Sequence, residues 1–401
     1  MFPRSLGERS YCISQTIRAK VFPTKVLKNH LLKNIDSFVS HLEFSDVTFC
    51  VKVDSNQILH ISHLAPLVTI EVKGRNYMDK KIKLLFTKDI LKESAQCFGI
   101  RENSIIELNG FQNFVYSGVV GNREVILRIT HVTHRNELLT RAELDFIMFL
   151  ADRGMKVARP IQSSSGDLIH IIDGSFIVTA FEKAPGRNAV IAEESNTFYE
   201  NIGQMVGKIH KLSLNYSTQN PRHEWSGNTL LESFKKYCPL ELHSNYDRLI
   251  NEISALPKEK NTYGLIHGDI SPGNYLNDGD KAFIIDYDEV EYSWFVSDIA
   301  TPLFYEIPIP WVVSGDVRKE IAKRYYCNFL NGYCKEYTLS QSQLNKVPLF
   351  INLRQARVLA ALYRSRDFNA PDWTEWYEQA RRFYYENLLN NTPYIDMDFL
   401  S

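Results

Sequence analysis

The sequence predicts an α+β protein in two lobes, a small one built on antiparallel strands and a larger, mainly helical one. Three observations carry this. Short segments rich in β-formers, separated by turn residues, crowd the stretch from Ile105 to Phe181. Pro185-Gly186 then interrupts the chain as a linker. From Phe198 onward apolar residues recur at helical spacing, as in Phe198, Ile202, Met205, Ile209 and Leu212. A length of 401 residues suits two or three structural units.

The elements follow in order. Residues 1–85 differ from the rest and are expected to be an N-terminal extension or a small accessory domain. Within them, Val26–Phe44 has helical spacing, Val47–Val53 alternates as a strand, and Ile58–Val72 is rich in β-branched residues. Residues 86–185 form the small lobe. Thr87 is placed to cap a helix over Lys88–Phe98, stopped by Gly99. Ile105–Leu108 is a strand, and Phe114–Val120 and Glu124–Thr130 make a hairpin around Gly121-Asn122. Leu139, Ala142, Phe146, Phe149 and Leu150 share a face of a helix over Thr140–Arg153. Leu168–Ile172 and Ser175–Phe181 are strands joined by Asp173-Gly174. Residues 186–401 are the helical lobe, with further helices around 228–237, 244–255, 317–336, 342–364 and 373–390.

Composition excludes several classes. Hydrophobic residues make up 44% and charged residues 23%, the balance of an ordinary globular protein. A formal net charge of -1 gives no basis for a nucleic-acid or membrane partner. The six cysteines (Cys12, Cys50, Cys97, Cys238, Cys327, Cys334) form no C-x-x-C pair and are expected to be reduced and mostly buried. The first residues carry charges and lack a signal-length apolar segment, and no stretch is apolar enough to cross a bilayer. A cytoplasmic location is expected.

One segment breaks the helical pattern. Leu265-Ile266-His267-Gly268-Asp269 is followed by Asn274, and Tyr275–Asn277 and Lys281–Ile285 read as two strands around an Asp278-Gly279 turn. Such a hairpin brings its outer ends, Asn274 and Asp286, together, with Asp269 on the loop just before. Two carboxylates and an amide oxygen then converge. Phosphoryl transfer calls for this set: hard oxygen ligands for Mg²⁺, neutralisation of spread negative charge and a carboxylate to take the acceptor's proton.

His267-Gly268-Asp269-x-x-x-x-Asn274 followed by Asp286 resembles the catalytic loop and metal site of aminoglycoside phosphotransferases, choline kinases and their relatives, which share a protein-kinase-like fold. The resemblance covers residues 87–366 and implies that Asp269 is the catalytic base and that Asn274 and Asp286 are Mg²⁺ ligands. His267 and Asp298 match positions that support the loop rather than react. Phe176–Glu182 resembles the hinge strand that holds the nucleotide base, with Glu182 at its end, and Ile202–His210 resembles the helix behind it, His210 being a packing residue. Gly110–Tyr116, with Gly110 and Asn113, resembles the phosphate-covering loop, although no G-x-G-x-x-G is present. Arg128 stands where the phosphate-gripping lysine is more usual. Glu143 is its implied ion-pair partner, with Glu137 as the rival.

The implied function is an ATP- or GTP-dependent kinase phosphorylating a small-molecule hydroxyl of aminoglycoside, amino-alcohol or hydroxy-amino-acid type. A protein hydroxyl as acceptor, or a nucleotide-binding module without catalysis, are the alternatives. Asp288, Glu289 and Glu291 offer an acidic lining for a cationic acceptor. Tyr287, Tyr292, Trp294, Phe304, Tyr305 and Trp311 offer an aromatic one.

Overall fold

A computed structural model of the chain describes residues 50–54, 57–60, 80–108, 110, 112–365 and 375–398. The chain divides into two units, Met1–His63 and Leu64–Ser401. In the first, β1 (Cys50–Asp54) pairs antiparallel with β2 (Gln57–His60), Val51 lying opposite Leu59. The helix expected over Val26–Phe44 and the stretch from 61 to 72 lie outside the described residues.

The first described elements of the second unit are α1 (Lys80–Leu85) and α2 (Lys88–Cys97). The Thr87 hydroxyl accepts a hydrogen bond from the Ile90 N–H at 3.3 Å, satisfying one orphan donor of the first turn. Phe86 stacks on Phe114 at 3.8 Å, so the chain just before Thr87 contributes to the core of the small lobe. Then come β3 (Ile106–Leu108), β4 (Phe114–Val120), β5 (Arg123–His131), α3 (Glu137–Asp152), β6 (His170–Ile172) and β7 (Phe176–Glu182). The five strands form an antiparallel sheet in the order β3-β4-β5-β7-β6. Helix α3 begins one turn before the expected Thr140. The reason is Asn136, whose side chain accepts from the Leu139 N–H at 2.9 Å and so nucleates the helix earlier.

Alternation sorts the sheet's two faces. Val125, Leu127 and Ile129 of β5, with Phe176, Val178 and Ala180 of β7, bury against Ile90 and Phe98 from the α2 side. Ile177 and Phe181 join the core shared with Leu144, Phe146 and Leu150 of α3. Arg128, between Leu127 and Ile129, is therefore directed to the α3 face.

Past Pro185-Gly186, β8 (Arg187–Asn188) pairs with a later hairpin, and α4 (Asn196–Ser213), α5 (Thr229–Tyr237) and α6 (His243–Ser254) follow. The next segment holds β9 (Tyr263–Ile266), the hairpin β10 (Tyr275–Asp278) and β11 (Lys281–Ile284), and β12 (Glu291–Trp294), which pairs with β9. The lobe is completed by α7 (Ser297–Glu306), α8 (Gly315–Tyr333), α9 (Gln341–Leu344), α10 (Val347–Ser365) and α11 (Glu375–Asn390).

Four expectations are corrected. The hairpin turn is Gly279-Asp280, one residue later than expected, because Asp278 pairs with Lys281; both turn residues have positive φ, 59° and 70°, and the Asp280 N–H donates to Asn277 Oδ1. The helix expected over 342–364 is two helices, since Pro348 fits the first turn of α10 but would clash inside a continuous helix. Helix α7 was not expected: nearly all of it is buried, so no amphipathic period marks it, and it contains Pro302. Of the four cysteines whose side chains are described only Cys238 is buried, while Cys327 and Cys334 are exposed on or beside α8.

Candidate active site

The loop after β9 places Asp269. Its shape is fixed from beneath by Asp298, at the start of α7, whose carboxylate accepts the N–H groups of His267 at 2.7 Å and Gly268 at 2.9 Å. Burial opposes ionisation of Asp298, but His210 (Nε2 at 3.3 Å) and the backbone donors hold its carboxyl below the usual range. His210 and His267 are themselves pushed down by burial and so favour the neutral form. His267 Nε2 reaches the Ile285 carbonyl at 3.1 Å, tying the loop to the far end of the hairpin. Gly268 has φ of +80°, and a Cβ there would stand 2.4 Å from the Glu289 carbonyl oxygen, so both conformation and space demand glycine.

The hairpin brings the expected residues together. Asn274 and Asp286 bracket its open end, where the Ile285 N–H donates to the Asn274 carbonyl at 2.9 Å. Asn274 Nδ2 donates to the Asp269 carbonyl at 2.9 Å and to Asp269 Oδ2 at 3.0 Å. That leaves the Asn274 Oδ1 oxygen for another partner. Asp286 adopts a left-handed conformation, φ 60° and ψ 73°, uncommon for a non-glycine residue. Its side chain is 44% exposed. Burial of its surroundings and the neighbouring Asp288 carboxylate raise its pKa. Asp269, with 25% of its side chain exposed, is likewise raised, by burial against the lowering effect of Arg354.

From the small lobe, Arg128 faces this cluster. Its two terminal nitrogens bind the Glu143 carboxylate at 2.8 and 2.7 Å, and one of them lies 3.8 Å from Asp286 Oδ1. Glu143 is thus the partner, while Glu137 pairs with Arg141 on the helix surface. Thr130 donates to Asn113 Oδ1 at 2.7 Å, anchoring the loop before β4 to β5. A Cβ at Gly110 would lie 2.2 Å from the Asn113 carbonyl oxygen, so this tight loop requires glycine there. Glu182 stands apart. It is exposed at the end of β7, three register positions or about 10 Å along the strand from Thr179, which faces Arg128.

The acidic lining is already neutralised from within. Arg135 and His134 hold Asp288 at 2.8 and 2.9 Å, and Arg135 also pairs with Glu289. Glu291 is fully buried against Arg357 at 2.7 Å. Of the aromatic residues, Tyr287, Trp294 and Phe304 are core. Tyr305 belongs to the site: its hydroxyl accepts from Arg354 Nε at 3.0 Å and Nη2 at 2.6 Å, and Arg354 pairs with Asp269. The sequence reading missed Arg354. The signal available to it was the polar cluster Asn352, Arg354, Gln355 and Arg357 between the apolar stretches of this helix.

A two-lobed, protein-kinase-like fold with this loop and hairpin defines a phosphotransferase. Comparisons with known proteins agree. The phosphotransferase enzyme family model matches residues 105–337. An amicoumacin kinase of Bacillus subtilis (strain 168) is 30% identical over 331 residues, covering 80% of this chain and 97% of its own length. A solved amicoumacin kinase, in complex with AMP-PNP and Ca²⁺, superposes with a TM-score of 0.74 at 25% identity, covering 80% of this chain and 99% of that one. A microcompartment-associated aminopropanol kinase shares the fold at TM-score 0.61 and 18% identity, covering 77% and 99%. The chain belongs to the phosphotransferase enzyme family and is a kinase acting on an alcohol group.

Proposed function

We propose that this protein transfers the γ-phosphoryl group of Mg-bound ATP or GTP to a hydroxyl of a small molecule that also carries amino groups, of aminoglycoside, amino-alcohol or hydroxy-amino-acid type. The observation that carries the reading is the convergence of Asp269, Asn274 and Asp286 on one hairpin, facing Arg128. Asp269 would orient the acceptor hydroxyl and take its proton. Arg128, aligned by Glu143, would hold phosphate oxygens, and Gly110 and Asn113 would shape the loop over them. Glu182 marks the end of the strand that would lie beside the base.

The donor chemistry suits Mg²⁺. Asn274 Oδ1 and the Asp286 carboxylate are hard oxygens on one edge. Among the described residues no group of three or more His, Cys, Asp and Glu is placed to hold a metal ion by itself, so these two would supply part of an octahedral shell, with phosphate oxygens and water completing it. Such an ion would offset the charge spread over the transferred group. Among the described residues no helix is long and apolar enough to cross a membrane.

Nucleotide turnover with Mg-ATP and Mg-GTP, measured against amicoumacin, an aminoglycoside, an amino alcohol and homoserine, tests the reading. Acceptor-dependent phosphorylation of one of them is expected. Acceptor-independent behaviour throughout, together with no Mg-nucleotide shift of the melting temperature, would overturn it.

A further inference from the structure

We propose that Arg354 is a positioning residue for the phosphotransfer step: carried on α10 and anchored by Tyr305, it fixes the direction in which Asp269 presents its free lone pairs. The proposal rests on the reading of Asp269 as the proton acceptor. Arg354 Nη2 donates to Asp269 Oδ1, and Asn274 Nδ2 donates to Asp269 Oδ2 at 3.0 Å. With a separate donor on each oxygen the carboxylate cannot turn. Each oxygen accepts more than one hydrogen bond, and the side chain remains 25% exposed, so the lone pairs left over point in set directions towards solvent.

The anchor is built for this. Arg354 is only 12% exposed, and its guanidinium spends Nε and Nη2 on the Tyr305 hydroxyl, at 3.0 and 2.6 Å. A planar fork makes both contacts and the Asp269 contact at once; an ammonium cannot keep that geometry. Tyr305 lies seven residues after Asp298 on α7, two helical turns along one face. One buried helix therefore fixes the backbone of the loop through Asp298 and its reactive side chain through Tyr305 and Arg354. The other α10 arginine at this level, Arg357, is paired through Nη2 with Glu291 rather than with Asp269.

The test uses the full chain and water as acceptor, so that no substrate need be known: steady hydrolysis of Mg-ATP by wild type, Arg354→Ala, Arg354→Lys, Tyr305→Phe and Asp269→Asn. Arg354→Ala is expected to lose roughly 10- to 100-fold in kcat with KM for ATP within about twofold, as displaced reacting groups do. Guanidinium at millimolar concentration should restore part of that loss, Arg354→Lys should recover little, and Tyr305→Phe should lose less than Arg354→Ala. Unchanged kcat in Arg354→Ala beside an inert Asp269→Asn overturns the positioning role alone, as does a loss that guanidinium cannot relieve. Undiminished Asp269→Asn turnover overturns the base assignment instead. A double-mutant cycle of Arg354→Ala and Asp269→Asn in denaturant is independent of turnover: coupled stabilities support the contact, and additive ones overturn it.

Discussion

Two arginines each hold a carboxylate on opposite sides of the site, and the holds differ. In the small lobe, Arg128 closes both terminal nitrogens onto both oxygens of Glu143, which is 1% exposed. In the helical lobe, Asp269 is shared between Arg354 and Asn274 and stays open at 25%. On the proposed reading, the first arrangement saturates the acid and leaves the arginine as the working group. On the same reading, the second steadies the acid and leaves it as the working group. A bidentate pair and a divided one thus mark opposite roles for chemically identical partners.

The contrast can be broken most severely at Asp269. Asp269→Asn should lower turnover by about 10²-fold or more, the usual worth of a general base, with Mg-nucleotide binding nearly intact by calorimetry. A variant keeping more than half of wild-type activity would reverse the roles assigned to the two acids. Asp286→Ala comes next: losing a hard anionic oxygen should weaken Mg-dependent nucleotide affinity by roughly tenfold or more, equivalent to about 1.4 kcal/mol. Unchanged affinity and turnover would move the metal elsewhere.

Glu143→Gln sharpens the comparison. The amide keeps one hydrogen bond but loses the charge that aligns Arg128, so KM for the nucleotide should rise by about three- to tenfold while kcat changes less. A loss confined to kcat would place Glu143 with Asp269 rather than opposite it. The smallest effect is on stability. Glu306, beside Tyr305 on α7, accepts from Tyr275, Tyr199 and Ala192, and burial pushes it from the ordinary 4.5 up to about 7. An acid raised in the folded state gives stability that is present below pH 4.5 and lost as pH rises through about 7. Glu306→Gln should therefore flatten that loss, melting a few degrees above wild type at pH 8 and close to it at pH 5, on the order of 1–3 kcal/mol. Parallel melting curves across that range would show that Glu306 stays ionised.

The same division explains what was legible in the sequence. Asp269, Asn274 and Asp286 lie within eighteen residues of each other, and a hairpin alone brings them together. Arg128 and Glu143 follow from the resemblance, which names the strand and the helix after it, and the structure pairs them across fifteen positions. Arg354 meets Asp269 across 85 positions, and no period in the chain encodes that meeting. The acids after Asp286 looked available because a charge run says nothing of its partners; Arg135 and Arg357 reach them from 153 and 66 positions away. Helix α7 escaped because burial on every side erases the periodicity that reveals a helix.

Arg222 offers a last consequence. It donates to the Asp288 and Val290 carbonyls of the helical lobe, each at 2.5 Å, and to the Leu139 carbonyl of α3 at 2.8 Å. A single guanidinium held by two acceptors of its own lobe thus reaches one backbone acceptor across the seam between the lobes. Opening that seam removes the Leu139 acceptor alone and leaves the buried Arg222 charge short of one partner, a cost that opposes partial opening. Amides on α3 around Leu139 should therefore be protected from hydrogen exchange by a residue of the other lobe, and Arg222→Ala should speed their exchange.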